Sequence, residues 1–207
     1  YAMGPFITLR CLEQLKCSLA QMNLPVTVIS VGLGLGYADA GPTHYITEDF
    51  ACLRSIVNFE VYTPSDLSTV LELAELSNKK PALRVLRLDR NAVDDIHIQG
   101  VTLDNGFVEL KKGKQIGILS CGYVFQRILK NWSEITNELE IGLVDVFQNK
   151  PLNLDGLKPI FEKYKKIITV EEQCLSGGFG SSILEGISDL GMNNTVKRLG
   201  LEERYYF

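Results

Sequence analysis

Two histidines occur in the 207 residues, and one of them ends the run Gly41-Pro42-Thr43-His44, with Glu48 and Asp49 just beyond it. The run closes a glycine-rich loop that begins near Val31, where the chain turns into its next helix. An imidazole held there is placed to hydrogen-bond a bound molecule or exchange a proton with it near neutral pH. The same spacing suits a surface loop in which Pro42 stiffens a turn and Thr43 bonds to local backbone, and spacing alone leaves both readings open. Two more chemically capable groups stand at similar punctuation: Asp66 after Thr63-Pro64-Ser65, and Arg90 after Leu88-Asp89. In the second half, Glu171 and Glu172 look like an acid/base pair, yet no histidine or metal-ligand cluster lies near them to complete a mechanism. Gly177-Gly178-Phe179-Gly180 opens a helix whose free amides could hold an anion, without the lysine and spacing of a nucleotide-triphosphate loop. A structural role is the expectation for both.

The elements that must position these groups follow from periodicity. Leu9, Leu12, Leu15, Leu19 and Met22 step by three and four, which predicts a helix over about 9–22 ending at Asn23. The stretch 25–31 is β-branched and apolar on both parities, a strand covered on both faces. Gly32-Leu33-Gly34-Leu35-Gly36 is no dinucleotide fingerprint, because Tyr37 and Asp39 occupy the third-glycine positions; its glycines permit tight turns and close backbone approach. Thr47 is expected to cap a helix that turns Phe50, Leu53 and Ile56 inward. A strand at 59–62, a helix capped by Asp66 with Leu67, Val70, Leu71 and Ala74 on its apolar face, and a strand at 82–88 come next. The carboxyl ends of these strands should deliver His44, Asp66 and Arg90 to one edge, where open parallel sheets bind ligands.

Between about 94 and 113 the pattern changes. Asp104-Asn105-Gly106 predicts a hairpin at a domain boundary, and His97 reads as a solvent-facing strand position. Beyond it come a strand at 115–120, a helix at 123–132, a strand at 140–146, a helix at 154–164, a strand at 167–170, a helix at 180–190 and a strand at 195–199. The expected fold class is α/β: two doubly wound, mostly parallel-sheet domains in tandem, residues 1–100 and 101–207.

With 45% hydrophobic and 22% charged residues the chain can bury real cores. A net charge of −4 and a pI near 5.3 argue against nucleic acid and anionic membrane as partners, which need clustered positive charge. Lys111, Lys112 and Lys114, and Lys163, Lys165 and Lys166, are short basic runs that read as solvated turns and helix ends. Five scattered cysteines without a Cys-x-x-Cys pair disfavour a disulfide framework or a zinc site and point to a reducing compartment. Lacking a long apolar span or a secretory-type start, the chain is expected to be cytoplasmic.

Taken together, the motifs resemble one family. Gly41-Pro42-Thr43-His44-Tyr45-Ile46-Thr47-Glu48-Asp49, then Leu53-Arg54 and Tyr62-Thr63-Pro64-Ser65-Asp66, are similar to the pyrimidine-binding domain of transketolases. Ile168-Thr169-Val170-Glu171-Glu172 with Gly177-Gly178-Phe179-Gly180-Ser181 is similar to the carboxyl-terminal domain of the same family, in the expected order. The resemblance implies thiamine diphosphate chemistry, in which a two-carbon ketol unit passes from a keto-sugar phosphate to an aldose. It also implies roles: His44 as the catalytic, substrate-binding histidine near the reacting carbons, Arg90 on the substrate phosphate, and Phe6 against the cofactor's aminopyrimidine ring.

Departures from the family pattern set further expectations. The aspartate that often precedes the Gly-Pro-Thr-His glycine is Ala40 here, with Asp39 one step earlier as the substrate-binding candidate. Gly32 stands where many transketolases carry a second histidine. No residue before Phe6 matches the family's pyrimidine-protonating glutamate, and the magnesium-binding Gly-Asp-Gly is absent, so no metal ligand is assigned. The expectation is therefore part of the carboxyl-terminal half of a transketolase, inactive alone and not binding thiamine diphosphate or Mg2+ tightly by itself. It should act with a diphosphate-binding domain or subunit, as a homo-oligomer, on a sugar phosphate. A deoxyxylulose-phosphate synthase, a 2-oxoacid dehydrogenase β subunit and a non-catalytic assembly subunit are the alternatives.

Overall fold

The computed structural model describes residues 1–97, 102–137 and 139–207. In the first half, the short strand β1 (Ala2–Met3) and the apolar strands β2 (Thr27–Val31), β3 (Glu60–Tyr62) and β4 (Arg84–Leu88) are all parallel, in the order β1-β2-β4-β3. The second half supplies β5 (Val108–Lys111), β6 (Ile116–Ser120), β7 (Ile141–Asp145), β8 (Gln148–Lys150), β9 (Lys166–Cys174) and β10 (Thr195–Leu201). Its sheet runs β10-β9-β6-β7-β5, parallel except for β5. The polar strand β8 leaves that half and pairs antiparallel with β3, closing the edge of the first sheet. Together these make a two-domain α/β fold of mostly parallel mixed sheets.

The helix expected over 9–22 does not form as one piece. After α1 (Gly4–Ile7) come a 3-10 turn at Leu9–Cys11, a single turn α2 (Leu12–Gln14) and a π turn at Leu15–Ala20. The π turn's i→i+5 closure, Gln21 N–H to Lys16 O at 2.8 Å, adds a residue to the turn and puts Leu15 and Ala20, five apart, against the core together, while Met22 is left exposed. The other first-half helices are α3 (Asp49–Arg54) and α4 (Leu67–Lys79). Helix α4 is capped as expected, with Asp66 Oδ1 accepting from Thr69 N–H at 2.9 Å. Thr47 is not the cap of α3: its hydroxyl and amide both donate to Glu48 Oε2, and Asp49 Oδ1 accepts from Phe50 N–H.

In the second half, α5 (Gly122–Lys130), α6 (Trp132–Thr136), α7 (Leu154–Lys163) and α8 (Phe179–Asp189) cover the sheet. Asp104-Asn105-Gly106 is not a hairpin; it is a 3-10 turn with Gly106 left-handed, and the strand it feeds, β5, pairs with β7 rather than with a preceding strand. The core ignores the boundary between halves: Phe50, Leu53 and Val85 belong to one continuous cluster with Leu119, Val144, Phe161 and Phe179. Arg54 and Glu185 form an ion pair across the same seam. Among the described residues no helix is long and apolar enough to cross a membrane.

Candidate functional site

The parallel strands of the first sheet place their carboxyl ends side by side, so the loop 32–44 after β2 and Asp89-Arg90 after β4 leave from one edge. His44 is half-buried. Its Nδ1 lies 2.8 Å from Thr43 Oγ1, and its ring meets Phe6 edge-on, with centroids 5.3 Å apart. The Arg10 guanidinium covers the Phe6 ring at 4.0 Å and donates to Thr43 O at 3.3 Å. The structure thus brings the candidates Phe6 and His44 into contact and adds Arg10, which no motif singles out and which ties the first helical segment to the histidine loop. A cavity of about 390 Å³ opens beside this loop, lined by Pro42, Tyr45, Thr47 and Glu48 on one side and residues 203–205 on the other.

Arg90 forms a separate group with Asp39. Its Nη1 and Nη2 donate to the two Asp39 oxygens at 2.8 and 3.3 Å, and its guanidinium stacks 4.8 Å over the Tyr37 ring. Tyr37 occupies the space that a side chain at position 32 would need: a Cβ on Gly32 would sit 2.1 Å from the Tyr37 ring, and Gly32 has φ +88, open to glycine. Both candidate substrate residues of this group are therefore engaged with each other in the structure.

Behind the edge lies a buried network centred on Arg87, a residue that no motif singles out. Arg87 in β4 pairs with Asp49 at the start of α3, Nε to Oδ2 and Nη2 to Oδ1 both at 2.8 Å, and both side chains are essentially inaccessible. Arg87 Nη1 donates to Thr63 Oγ1 at 2.9 Å, and Thr63 in turn donates to Asn149 Oδ1. Gln173 of β9 turns its amide oxygen to the same guanidinium. Burial opposes the charge on Arg87, but Asp49 outweighs it and the pKa is raised. The sequence does carry one signal for it: an arginine inside an apolar strand needs a buried carboxylate.

The second-half candidates resolve structurally. Glu171 accepts from the Phe179 and Gly180 amides at 2.6 and 2.8 Å, so the protein's own carboxylate fills the anion position at the start of α8. Burial pushes Glu171 up to about 7 against those bonds, and burial with the nearby Asp89 charge pushes Glu172 to about 7 as well.

Two expectations are corrected. Asp66 is not presented at the edge: it is buried as the cap of α4 and as the partner of His97. His97 is not solvent-facing but only 5% exposed, because the segment 94–97 runs over the start of α4, where Asp66 Oδ2 accepts from the Ile96 and His97 amides and from His97 Nδ1. Among the described residues no cluster of three or more His, Cys, Asp or Glu could hold a metal ion.

Family models for the transketolase pyrimidine-binding domain and the transketolase C-terminal domain match residues 3–95 and 106–206. The chain belongs to the transketolase family. It is 25% identical over 205 residues to one of the subunits of an apulose-4-phosphate transketolase from Actinobacillus succinogenes, an alignment covering 98% of this chain and 66% of that protein. Against the 1-deoxy-D-xylulose-5-phosphate synthases of Nitrosomonas europaea and Aquifex aeolicus it is 30% identical over 199 residues, covering 95% of this chain but 32% of each synthase. In fold, it matches a split-gene transketolase solved as an inactive tetramer of beta chains with a TM-score of 0.85 at 22% identity, covering 97% of this chain and 66% of that one. A transketolase of Pichia stipitis matches with a TM-score of 0.76 at 16% identity, over 98% of this chain and 29% of that chain. This transketolase-family chain thus spans between a third and two thirds of the curated relatives' length.

Proposed function

We propose that residues 1–207 are part of the carboxyl-terminal half of a thiamine-diphosphate-dependent transketolase that moves a two-carbon ketol unit between sugar phosphates, with the division between its two domains near residue 100. The observation that carries this reading is the arrangement of two separate groups, Phe6–His44–Arg10 and Tyr37–Arg90–Asp39, on the carboxyl edge of one parallel sheet in a chain of this family. Thiamine diphosphate, when bound, supplies the carbon nucleophile that takes up the ketol unit. The residues present fit only part of that cofactor: Phe6 is the aromatic candidate for the pyrimidine side, while the family's magnesium-binding Gly-Asp-Gly does not occur in these residues. The diphosphate-binding domain is therefore assigned to a segment or subunit outside these residues. In the complete assembly, a homo-oligomer of the two parts, His44 acts near the reacting carbons. With Nδ1 turned to the Thr43 hydroxyl, Nε2 is the ring nitrogen left to meet the donor sugar's oxygen.

Arg90 takes the substrate phosphate, and Asp39 occupies its guanidinium until the phosphate displaces it. In the enzyme reconstituted with its diphosphate-binding partner, Arg90→Ala is expected to raise KM for a ketose phosphate donor about 10–100-fold, the worth of a charge-assisted bidentate contact, with a smaller change in kcat. Asp39→Asn should move KM the other way, by about two- to five-fold, because only an exposed ion pair is removed. Steady-state kinetics check both signs, and equal, unidirectional losses for the two variants contradict the phosphate role. A second reading is favoured by the 30% identity to 1-deoxy-D-xylulose-5-phosphate synthases: formation of 1-deoxy-D-xylulose 5-phosphate by the reconstituted enzyme, with no ketol transfer between sugar phosphates, would select it.

A further inference from the structure

Where the two halves meet, three titratable side chains are buried together and take no part in the proposed site. Asp66, at the start of α4, is 1% exposed; His97, in the connecting segment, 5%; and Asp145, the last residue of β7, 0%. His97 Nδ1 is 2.8 Å from Asp66 Oδ2, and on the other side of the ring Nε2 is 3.6 Å from Asp145 Oδ2. Asp66 has its acceptors filled by the Ile96, His97 and Thr69 amides and the Thr69 hydroxyl, so its oxygens are set for the ionised form. Asp145 Oδ1 accepts from the Ser65 hydroxyl at 2.8 Å, and Ser65 Oγ accepts from the Gly122 amide at 2.7 Å. Among the described residues, only Asp145 Oδ2 and His97 Nε2 in this group lack a hydrogen-bond partner, and they face one another. Both are acceptors unless a proton lies between them, and two bare acceptors buried at 3.6 Å is a costly arrangement.

We propose that His97 is a proton-operated latch between the two domains: as an imidazolium it bridges Asp66 of the first domain and Asp145 of the second, and loss of its proton loosens the seam. The latch lies beside contacts that join the domains, namely the Gln126 side chain on Ser65 O and the Thr63 amide on Phe147 O, at 2.8 Å each. The charged groups acting on the ring are the carboxylates of Asp66, Asp145 and Asp95, the last of which also caps Ser68. On the far side of Asp145, burial pushes the Cys121 thiol up to about 12, so it carries no charge into the group.

The sign follows from the environment. Burial opposes charge on His97, but the Asp66 bond and the surrounding carboxylates outweigh it and raise its pKa. Burial pushes Asp145 up to about 7 against the opposing His97 charge and Ser65 bond, so His97 and Asp145 titrate as a pair that holds a proton between Nε2 and Oδ2 in mild acid and gives it up as pH rises. For Asp66, burial is outweighed by the His97 and Thr69 bonds, which hold it well below the usual carboxylate range. Stability from a raised histidine is complete below about pH 6.5 and is lost as pH rises through its folded value; a raised aspartate loses stability over the same upward direction. The latch is therefore closed in mild acid and opens toward alkaline pH, while Asp66 weakens it only in strong acid.

Because the chain has two histidines, its imidazole signals can be assigned with His44→Gln. Nitrogen NMR of the chain from pH 5 to 9 is expected to show His97 protonated on both nitrogens at the acid end, with a midpoint above about 6.5, the ordinary histidine value. Asp145→Asn should move that midpoint to lower pH. Urea midpoints should fall from pH 6 to 9 in the wild type, and fall less in Asp145→Asn and in His97→Gln; Glu171 and Glu172 give a slope of the same sign, so the difference between chains is the readout. A His97 ring that is neutral throughout, or wild-type and His97→Gln midpoints that fall in parallel, overturns the latch, including if Asp145→Asn fails to fold.

Discussion

Asp49→Ala is expected to cost the folded chain about 3–5 kcal/mol, because it leaves the Arg87 guanidinium buried with its main counter-charge gone. Thr63 and Gln173 each satisfy part of that guanidinium but neither carries charge. Urea unfolding with unchanged slope measures the loss. The paired replacement Asp49→Leu with Arg87→Met should recover most of it, since apolar side chains of similar volume remove the uncompensated charge along with the ion pair. A single-variant loss below about 1 kcal/mol would mean that water or another carboxylate reaches Arg87. The effect extends past stability, because Arg87 lies three residues before Arg90 on β4 and Asp49 five after His44. The pair fixes both strand-end loops to one sheet.

The second large effect is on activity. His44→Ala in the complete enzyme is expected to lower kcat by about 10²–10³, the range for removing one well-placed donor at a reacting oxygen. It should leave the chain's unfolding free energy within about 0.5 kcal/mol of wild type, because His44 is half-buried and its polar contact is with the neighbouring Thr43. Stopped-flow or steady-state turnover beside an unfolding curve separates the two quantities. An equal fall in activity and stability would reassign His44 to packing against Phe6.

The parts of this fold readable in sequence are those with local causes. The Asp66 cap and the strands β2 and β4 depend on residues a few positions apart; the expected apolar face of α4 does not hold, because Leu67, Leu71 and Ala74 are exposed and the helix turns Thr69 and Leu73 to the core instead. The histidine loop is legible because proline, glycine and a rare imidazole coincide, with the family resemblance adding the role that spacing could not. What escapes a sequence reading depends on partners far along the chain. His97 sits between apolar neighbours as a strand residue would, and only folding brings Asp66 and Asp145 to the two sides of its buried ring. The polar triplet of β8 has no strand pattern of its own and is held by pairing with β3. The π turn at Leu15–Ala20 looks like ordinary helical spacing until the core selects residues five apart.

The central claim is that these residues form half of a thiamine diphosphate site. Calorimetric titration of thiamine diphosphate with magnesium into the chain alone, then into an equimolar mixture with its diphosphate-binding partner, tests it most directly. Saturable binding is expected in the mixture only, since the magnesium-binding Gly-Asp-Gly of the family does not occur in these residues. Tight binding by the chain alone, or none in the mixture, would contradict it.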